Sequence, residues 1–160
     1  MRWRPDRALI TAAIVVILDQ WTKWLAFKGL TPGESDSILP GISLGQTRNE
    51  GIAFGVFAGR PWIVFSLMAI ALGVLVWFYA HNRGRPGLWL ATGLLLGGAI
   101  GNAIDRISLG YVRDFINFPH FPTFNVADMA ITFGVIVLVL TVEQTQASEE
   151  SSDDEPAAED

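Results

Sequence analysis

The sequence predicts an all-α membrane protein of four transmembrane helices, with a small β-rich extracytoplasmic platform in the first outer loop. Three observations carry that expectation. Four apolar stretches, Ala8 to Phe27, Trp62 to Tyr79, Leu88 to Ile104 and Val126 to Val142, each come near the length that crosses a hydrocarbon core of about 30 Å at about 1.5 Å per residue. Only 17% of the residues are charged, against about 25% in soluble domains, so lipid is expected to be the solvent for much of the surface. A soluble bundle also needs a polar stripe along each helix, and Ile63 to Tyr79 has none.

The first stretch follows Arg2, Arg4 and Arg7, as a signal peptide would. It lacks an A-x-A-like cleavage site and contains Asp19 and Lys23, so a retained anchor is expected. The outer loop from Lys28 to Pro61 is long. Its centre, Ile38-Leu39-Pro40-Gly41-Ile42-Ser43-Leu44, mixes turn formers with β-compatible residues and predicts short strands. Trp24, Trp62, Trp77 and Trp89 stand near segment ends, where an interfacial aromatic belt would put them. On the third stretch Gly93, Gly97 and Gly101 recur every fourth residue, a seam along which another helix can approach closely. The fourth stretch is the shortest and runs into an acidic tail. Eight carboxylates and no Lys or Arg lie between Glu143 and Asp160, so the net charge of −5 conceals a body with eleven bases against eight acids. The expected division is a membrane domain over 1–142 and, over 143–160, a disordered cytoplasmic tail too poor in apolar residues to fold.

With the N-terminus inside, the inner segments hold Arg2, Arg4, Arg7, Arg83 and Arg85, and the outer loops hold Lys28, Arg48, Arg60, Arg106 and Arg113. The counts tie. The density of arginine next to the first span, which usually dominates orientation, favours both termini in the cytoplasm. Span parity then gathers the membrane-associated acids on the outer side. Asp105 falls at the outer end of the third helix, Asp114 in the loop beyond, and Asp128 in the first turn of the fourth. Asp19 lies roughly 16 Å along the first helix from Ala8, in its outer half with Lys23. An Asp at mid-bilayer costs on the order of 2.5–3.5 kcal/mol to insert, so ionisable groups there are functional candidates by default.

Each candidate also has a structural explanation. Asp19 and Lys23, four apart, share a helix face and could simply neutralise each other. Asn125-x-x-Asp128 has the form of a helix N-cap with an acid three residues on. Asp114 beside Arg113 could be an exposed loop pair. Asp105 opposes the dipole at a helix C-terminus and needs a partner such as Arg106. Several catalytic kits are absent: there is no cysteine, no H-E-x-x-H and no G-x-S-x-G. His81 and His120 are expected on opposite sides of the membrane. What remains is a group of aspartates at a water–lipid boundary. Two close carboxyls share a proton, one acting as base on water while the other polarises a carbonyl. The residues permit such amide hydrolysis without requiring it.

The motifs around these residues resemble lipoprotein signal peptidase, the bacterial signal peptidase II family. They run from Asp19 to Ala130: Asp19-Gln20-x-x-Lys23; Arg48-Asn49-Glu50-Gly51-Ile52-Ala53-Phe54; Gly97-Gly98-Ala99-Ile100-Gly101-Asn102-Ala103-Ile104-Asp105-Arg106; Gly110-Tyr111-Val112-Arg113-Asp114-Phe115-Ile116; and Phe124-Asn125-Val126-Ala127-Asp128. The resemblance implies a membrane aspartic endopeptidase with Asp114 and Asp128 as the catalytic pair. It implies that Asn49, Gly51, Asn102, Arg106 and Asn125 bind substrate or shape the site, and that Asp19, Lys23 and Asp105 support it. The implied substrate is a diacylglyceryl-modified prolipoprotein, cut just before its lipidated cysteine at the outer face of the bacterial inner membrane. No metal or organic cofactor is implied, and beyond the substrate and the bilayer neither nucleic acid nor an obligate protein partner is expected. Three departures from the family pattern stand out: Ile52 occupies a position commonly held by a small residue, only fourteen positions separate Asp114 from Asp128, and the acidic tail is not a family hallmark. Two other function classes remain as alternatives. A small transporter would spread its acids through the membrane depth, and a non-catalytic assembly factor built on the glycine seam would tolerate Asp-to-Asn changes.

Overall fold

The computed structural model describes residues 5–51, 60–82, 85 and 87–153. Among these, four helices are long and apolar enough to cross a membrane. They are α1 (Pro5–Gly29), α2 (Pro61–His81), α3 (Leu88–Leu109) and α4 (Val126–Asp153). Each runs beyond the stretch that hydropathy marks out. The extra turns hold polar residues that do not register as apolar, such as Asp6 in the first turn of α1 and Lys28 in its last, each favourable to the helix dipole. α4 continues through Gln144 and on to Asp153, so the acidic segment begins as helix, on a run containing Glu, Gln and Ala, rather than as the disordered tail expected from 143 onward. Residues 154–160 lie outside the described residues.

The four apolar surfaces face outward. Leu9, Ile17, Trp62, Ile70 and Phe133 are exposed, while Asp19, Lys23, Asp105, Asp114 and Asn125 are buried. This inverts a soluble bundle and is what lipid as solvent selects. Hydroxyls on the outer helix surfaces bond back to the preceding turn: Thr11 donates to Arg7 O at 2.9 Å, Thr22 to Leu18 O at 2.8 Å and Thr132 to Asp128 O at 2.9 Å. Near the helix ends, Lys28 sits 4.8 Å over the Trp24 ring and Arg7 5.7 Å over Trp89, apolar rings held beside cations as at a membrane interface.

α3 is the central helix. It packs along both α1 and α4, whereas α2 touches it far less extensively. The glycine seam is the reason α1 can come so close. A Cβ on Gly93 would lie 2.8 Å from Ala8 O, and one on Gly97 would lie 2.6 Å from Val15 Cβ and 2.9 Å from Ala12 O. Gly98, on the neighbouring face, meets the Ala127 carbonyl of α4 in the same way. In lipid there is little hydrophobic drive between helices, so close van der Waals fit of this kind holds them together.

The α1–α2 and α3–α4 connections fold together into one antiparallel sheet, in the order β1 (Ser35–Leu39), β2 (Ile42–Asn49), β3 (Val112–Phe118), β4 (Phe121–Phe124). The strands expected between Ile38 and Leu44 are present as β1 and β2. Pro40-Gly41 turns between them, with Gly41 at φ 81°, which suits a type II turn. The platform is larger than a first-loop structure, because the second loop supplies β3 and β4. Pro119-His120 makes their turn, with His120 at φ 61° where glycine is usual. The β2–β3 pairing, which places Thr47 opposite Asp114 and Asn49 opposite Val112, ties residues far apart in sequence at the end of the bundle.

Two glycine substitutions test this packing. Gly97→Ala drives a methyl into α1 and is expected to destabilise the protein by about 1–3 kcal/mol, the usual range for overpacking. Gly73→Ala on α2, where a Cβ meets nothing within 4 Å, is expected to leave the thermal midpoint in detergent unchanged or slightly raised.

Candidate active site

The ionisable residues of α1 and α3 form a buried, charge-balanced cluster. The Lys23 ammonium lies 2.8 Å from Asp19 Oδ2, 3.3 Å from Asp105 Oδ2 and 3.0 Å from Asn102 Oδ1, and Lys23, Asp19 and Asp105 are all fully buried. Asp105 takes Arg113 as its second cation, with Nη2 at 2.7 Å and the Arg113 backbone N–H at 2.9 Å. Two acids thus face two bases. Gln20 ties them together: its Nε2 donates to Asp19, Asp105 and the Gly101 carbonyl, and its Oε1 accepts from Arg113 Nη2. The remaining Asp19 oxygen accepts the Ala127 N–H at 2.9 Å, fixing the first turn of α4 against α1.

Above this cluster stand Asp114 on β3 and Asp128 on α4, joined through amides. Asn125 Nδ2 donates to Asp114 Oδ1 at 2.6 Å, and Asn49 Nδ2 to Asp114 Oδ2 at 2.9 Å. Asn102 Nδ2 donates to Asp128 Oδ1 at 2.8 Å, and the Asn125 backbone N–H to Asp128 Oδ2 at 3.2 Å. Asn125 Nδ2 also reaches Asn102 Oδ1 at 3.2 Å, closing the chain Asp114–Asn125–Asn102–Asp128. All four carboxylate oxygens therefore accept N–H bonds. The helix-cap reading of Asn125 and Asp128 also holds, since the Asp128 N–H returns to Asn125 Oδ1 at 3.0 Å in a reciprocal capping box. The cap and the site are the same set of atoms.

Asp114 is 1% exposed, while Asp128 lines an open groove of about 1160 Å³. The groove lies between α2 and α4 and is floored by α3. Its walls are apolar, with Leu67, Ala71, Leu75 and Phe78 on one side and Ile131 and Leu138 on the other. Its polar lining includes Asn49, Asn102, Arg106 and Asp128. Burial pushes the Asp114 carboxyl up to about 6, helped by the charge of Asp128 and opposed by the Asn49 and Asn125 hydrogen bonds and by Lys23. Arg106 donates to Gly51 O at 2.7 Å and lies 3.7 Å from Met68 Sδ, so it anchors the end of β2 over the groove.

Every site residue expected from sequence converges on this region, with two differences in detail. Asp105 is partnered by Arg113 and Lys23, not by Arg106, because consecutive residues on a helix point about 100° apart. Asp114 is no exposed loop pair with Arg113. On β3 the two side chains leave opposite faces, Arg113 toward Asp105 and Asp114 toward Asn49 and Asn125. The short Asp114–Asp128 connection is the rest of β3, the turn, β4 and the Asn125 cap, which brings the chain straight back. Ile52 lies outside the described residues. Gln20 and Arg113 were not singled out as site residues; recognising a strand after Gly110 would have exposed Arg113's role through side-chain alternation. Among the described residues no group of three or more His, Cys, Asp or Glu could hold a metal ion.

A family model described as signal peptidase (SPase) II matches residues 11–143. Lipoprotein signal peptidase of Brevibacillus brevis is 42% identical over 137 residues, covering 83% of this chain and 92% of that protein. Lipoprotein signal peptidase of Geobacillus kaustophilus is 43% identical over 135 residues, covering 79% and 86%. Two bacterial membrane enzymes solved by the in meso method are similar in structure. One superposes with a TM-score of 0.81 at 31% identity, covering 96% of this chain and 94% of the other. The second gives 0.77 at 34% identity, covering 84% and 91%. Matched along the bundle and the sheet alike, the chain belongs to the signal peptidase II family of multi-pass membrane proteases.

Proposed function

We propose that the protein is an aspartic endopeptidase that removes the signal peptide from diacylglyceryl-modified prolipoproteins, cutting before the lipidated cysteine. The observation that carries this reading is the pair of carboxyls, Asp114 and Asp128, bridged by Asn125 beside a wide apolar groove. Asp128 faces the groove and serves as base on a water; Asp114 holds the proton and gives it to the carbonyl oxygen of the scissile bond. Water adds to the carbonyl carbon and loses a proton to Asp128. The resulting diol collapses as Asp128 protonates the departing amine and Asp114 recovers a proton from the second hydroxyl. The reaction balances with water alone and draws on no cofactor.

The groove suits an apolar substrate already dissolved in the bilayer. It extends from Asp128 to Leu138, ten residues of helix or about 15 Å, comparable with the apolar core of a signal peptide. Arginine density next to the first span supports placing both termini in the cytoplasm and the acids at the outer face.

Purified protein is expected to release signal peptide from lipidated precursor and not from the unlipidated form. Asp114→Asn and Asp128→Asn are each expected to cut the cleavage rate by at least about 100-fold while the protein stays folded. Normal processing by either variant would remove the catalytic assignment. A separate expectation concerns pH. The Asp114 carboxyl is raised to about 6 in the folded protein from 3.8. It faces Asp128 on α4, Lys23 on α1 and Arg106 on α3. Between those two values the folded state holds more protons than the unfolded one. Stability is thus expected to fall by about 3 kcal/mol in all, about 2 of it between pH 3.8 and 6, and to gain nothing back from this group at higher pH. Thermal unfolding in detergent across pH 4–8 checks this, and Asp114→Asn should flatten that part of the profile.

A further inference from the structure

We infer that Lys23 is a positioning residue for the proposed reaction: its ammonium fixes the Asn102 amide so that Nδ2 points at Asp128 and holds that carboxylate toward the groove. The inference rests on the Asp114–Asp128 reading above.

A lysine ammonium has three N–H donors and no acceptor. Its three near contacts, Asp19 Oδ2, Asp105 Oδ2 and Asn102 Oδ1, use all of them. Because Lys23 can only donate, the Asn102 side that faces it must be the oxygen. Asn125 Nδ2 imposes the same choice from the other direction, at 3.2 Å. Turning the amide over would set its NH2 against two donors and its oxygen against Asp128 Oδ1. With Lys23 in place one orientation survives, and its N–H lies 2.8 Å from Asp128. Lys23 itself is fully buried and is not part of the groove lining. Its shortest bonded route to Asp128 runs through Asn102; a second runs through Asp19 to the Ala127 N–H, and Asp19→Asn keeps a carbonyl oxygen for that bond.

Charge balance alone does not account for this contact. Asp105 already has Arg113, so a lysine needed only to neutralise Asp19 would be dispensable once Asp19 was neutral. The third N–H must also be met, and it is met by the one amide that bonds Asp128, which ties the lysine to the site. The test below separates a positioning role from a structural one.

The test uses the charge-neutral pair Asp19→Asn with Lys23→Met in the full chain, since Lys23→Met alone strands a buried carboxylate and endangers folding. Cleavage of a diacylglyceryl-modified precursor peptide is followed for kcat and KM, and thermal unfolding in detergent is recorded alongside. The pair is expected to lower kcat by about 10- to 100-fold, the usual loss when the hydrogen-bonded support of a site residue is removed, with KM and the thermal midpoint close to the parent's. A kcat within about twofold of the parent, the scatter allowed for independent sites, overturns the inference and leaves Lys23 a counter-ion. Loss of the folded protein, or a loss of rate carried by KM, overturns it as well, because either marks a structural role. Asp128→Asn in the same assay keeps the two readings apart. If that variant still cleaves, the aspartic mechanism itself falls. If it is inactive while the charge-neutral pair is fully active, only the positioning role falls.

Discussion

One buried cluster of two acids and two bases organises the protein. Lys23 sits within a helix that crosses lipid, where an unpaired charge is very costly and water is absent, so its hydrogens must all be met by the chain itself. The acceptors that meet them come from two helices, Asp19 on α1 with Asp105 and Asn102 on α3. Their remaining oxygens reach further, Asp105 to Arg113 on β3 and Asp19 to the Ala127 N–H at the start of α4. The cluster as a whole thus draws α1, α3, α4 and the sheet to one point, with the Asp105–Arg113 pair and the bond to the Ala127 N–H made independently of the lysine. The approach is possible because position 101 is glycine, where a Cβ would lie 2.6 Å from Asp19 Oδ2. Removing one member would leave a buried charge uncompensated, a loss of about 3–5 kcal/mol in comparable networks.

The same logic of obligate donors carries upward into the site. Three asparagine amides surround the acids, and each has its oxygen claimed by a group that can only donate. Lys23 claims Asn102, the Asp128 N–H claims Asn125, and the Gly51 N–H claims Asn49. Every amide is therefore turned with NH2 toward a carboxylate. The two acids are thus joined through a chain of two asparagine amides, and the charge of Asp128 acts with burial to raise the Asp114 carboxyl. Asp114 is buried, and its desolvation is the largest cause of that rise.

Much of this was legible in the sequence, for reasons particular to lipid. A span must be long and apolar, so all four helices announced themselves, and the every-fourth-residue glycines marked the face that α1 covers. Helix ends were less visible because their last turns leave the apolar pattern. The second hairpin was missed altogether. Its turn, Phe118-Pro119-His120-Phe121, lacks the glycine that usually signals a tight turn and instead puts His120 at positive φ. Missing β3 had a further effect, since strand alternation is what separates Arg113 from Asp114. Without it Asp105 was given the neighbouring Arg106 as partner, although the two leave the helix in different directions. Gln20 stands in the first motif, but nothing in the sequence places it against residues 101, 105 and 113. Its role appears only when four charged groups are seen around it.

α2 stands apart from this network, and its isolation has a physical basis. In lipid a helix gains little by hiding apolar surface from its solvent, so helices associate where small residues or polar groups let them fit closely. α2 carries one glycine, Gly73, and it meets open space. Nothing therefore draws α2 against α4, and the groove between them stays open at little cost, since lipid chains can fill it. An apolar segment entering that groove replaces lipid rather than water, so the walls discriminate weakly among apolar substrates. Discrimination then falls to the polar lining, where Asn49, Asn102, Arg106 and Asp128 offer directed donors and acceptors. In the proposed reaction the membrane does the first selection, admitting what is already dissolved in it. The amide-framed acids do the second, and the rigidity needed for that step comes from the lysine cluster beneath them rather than from α2.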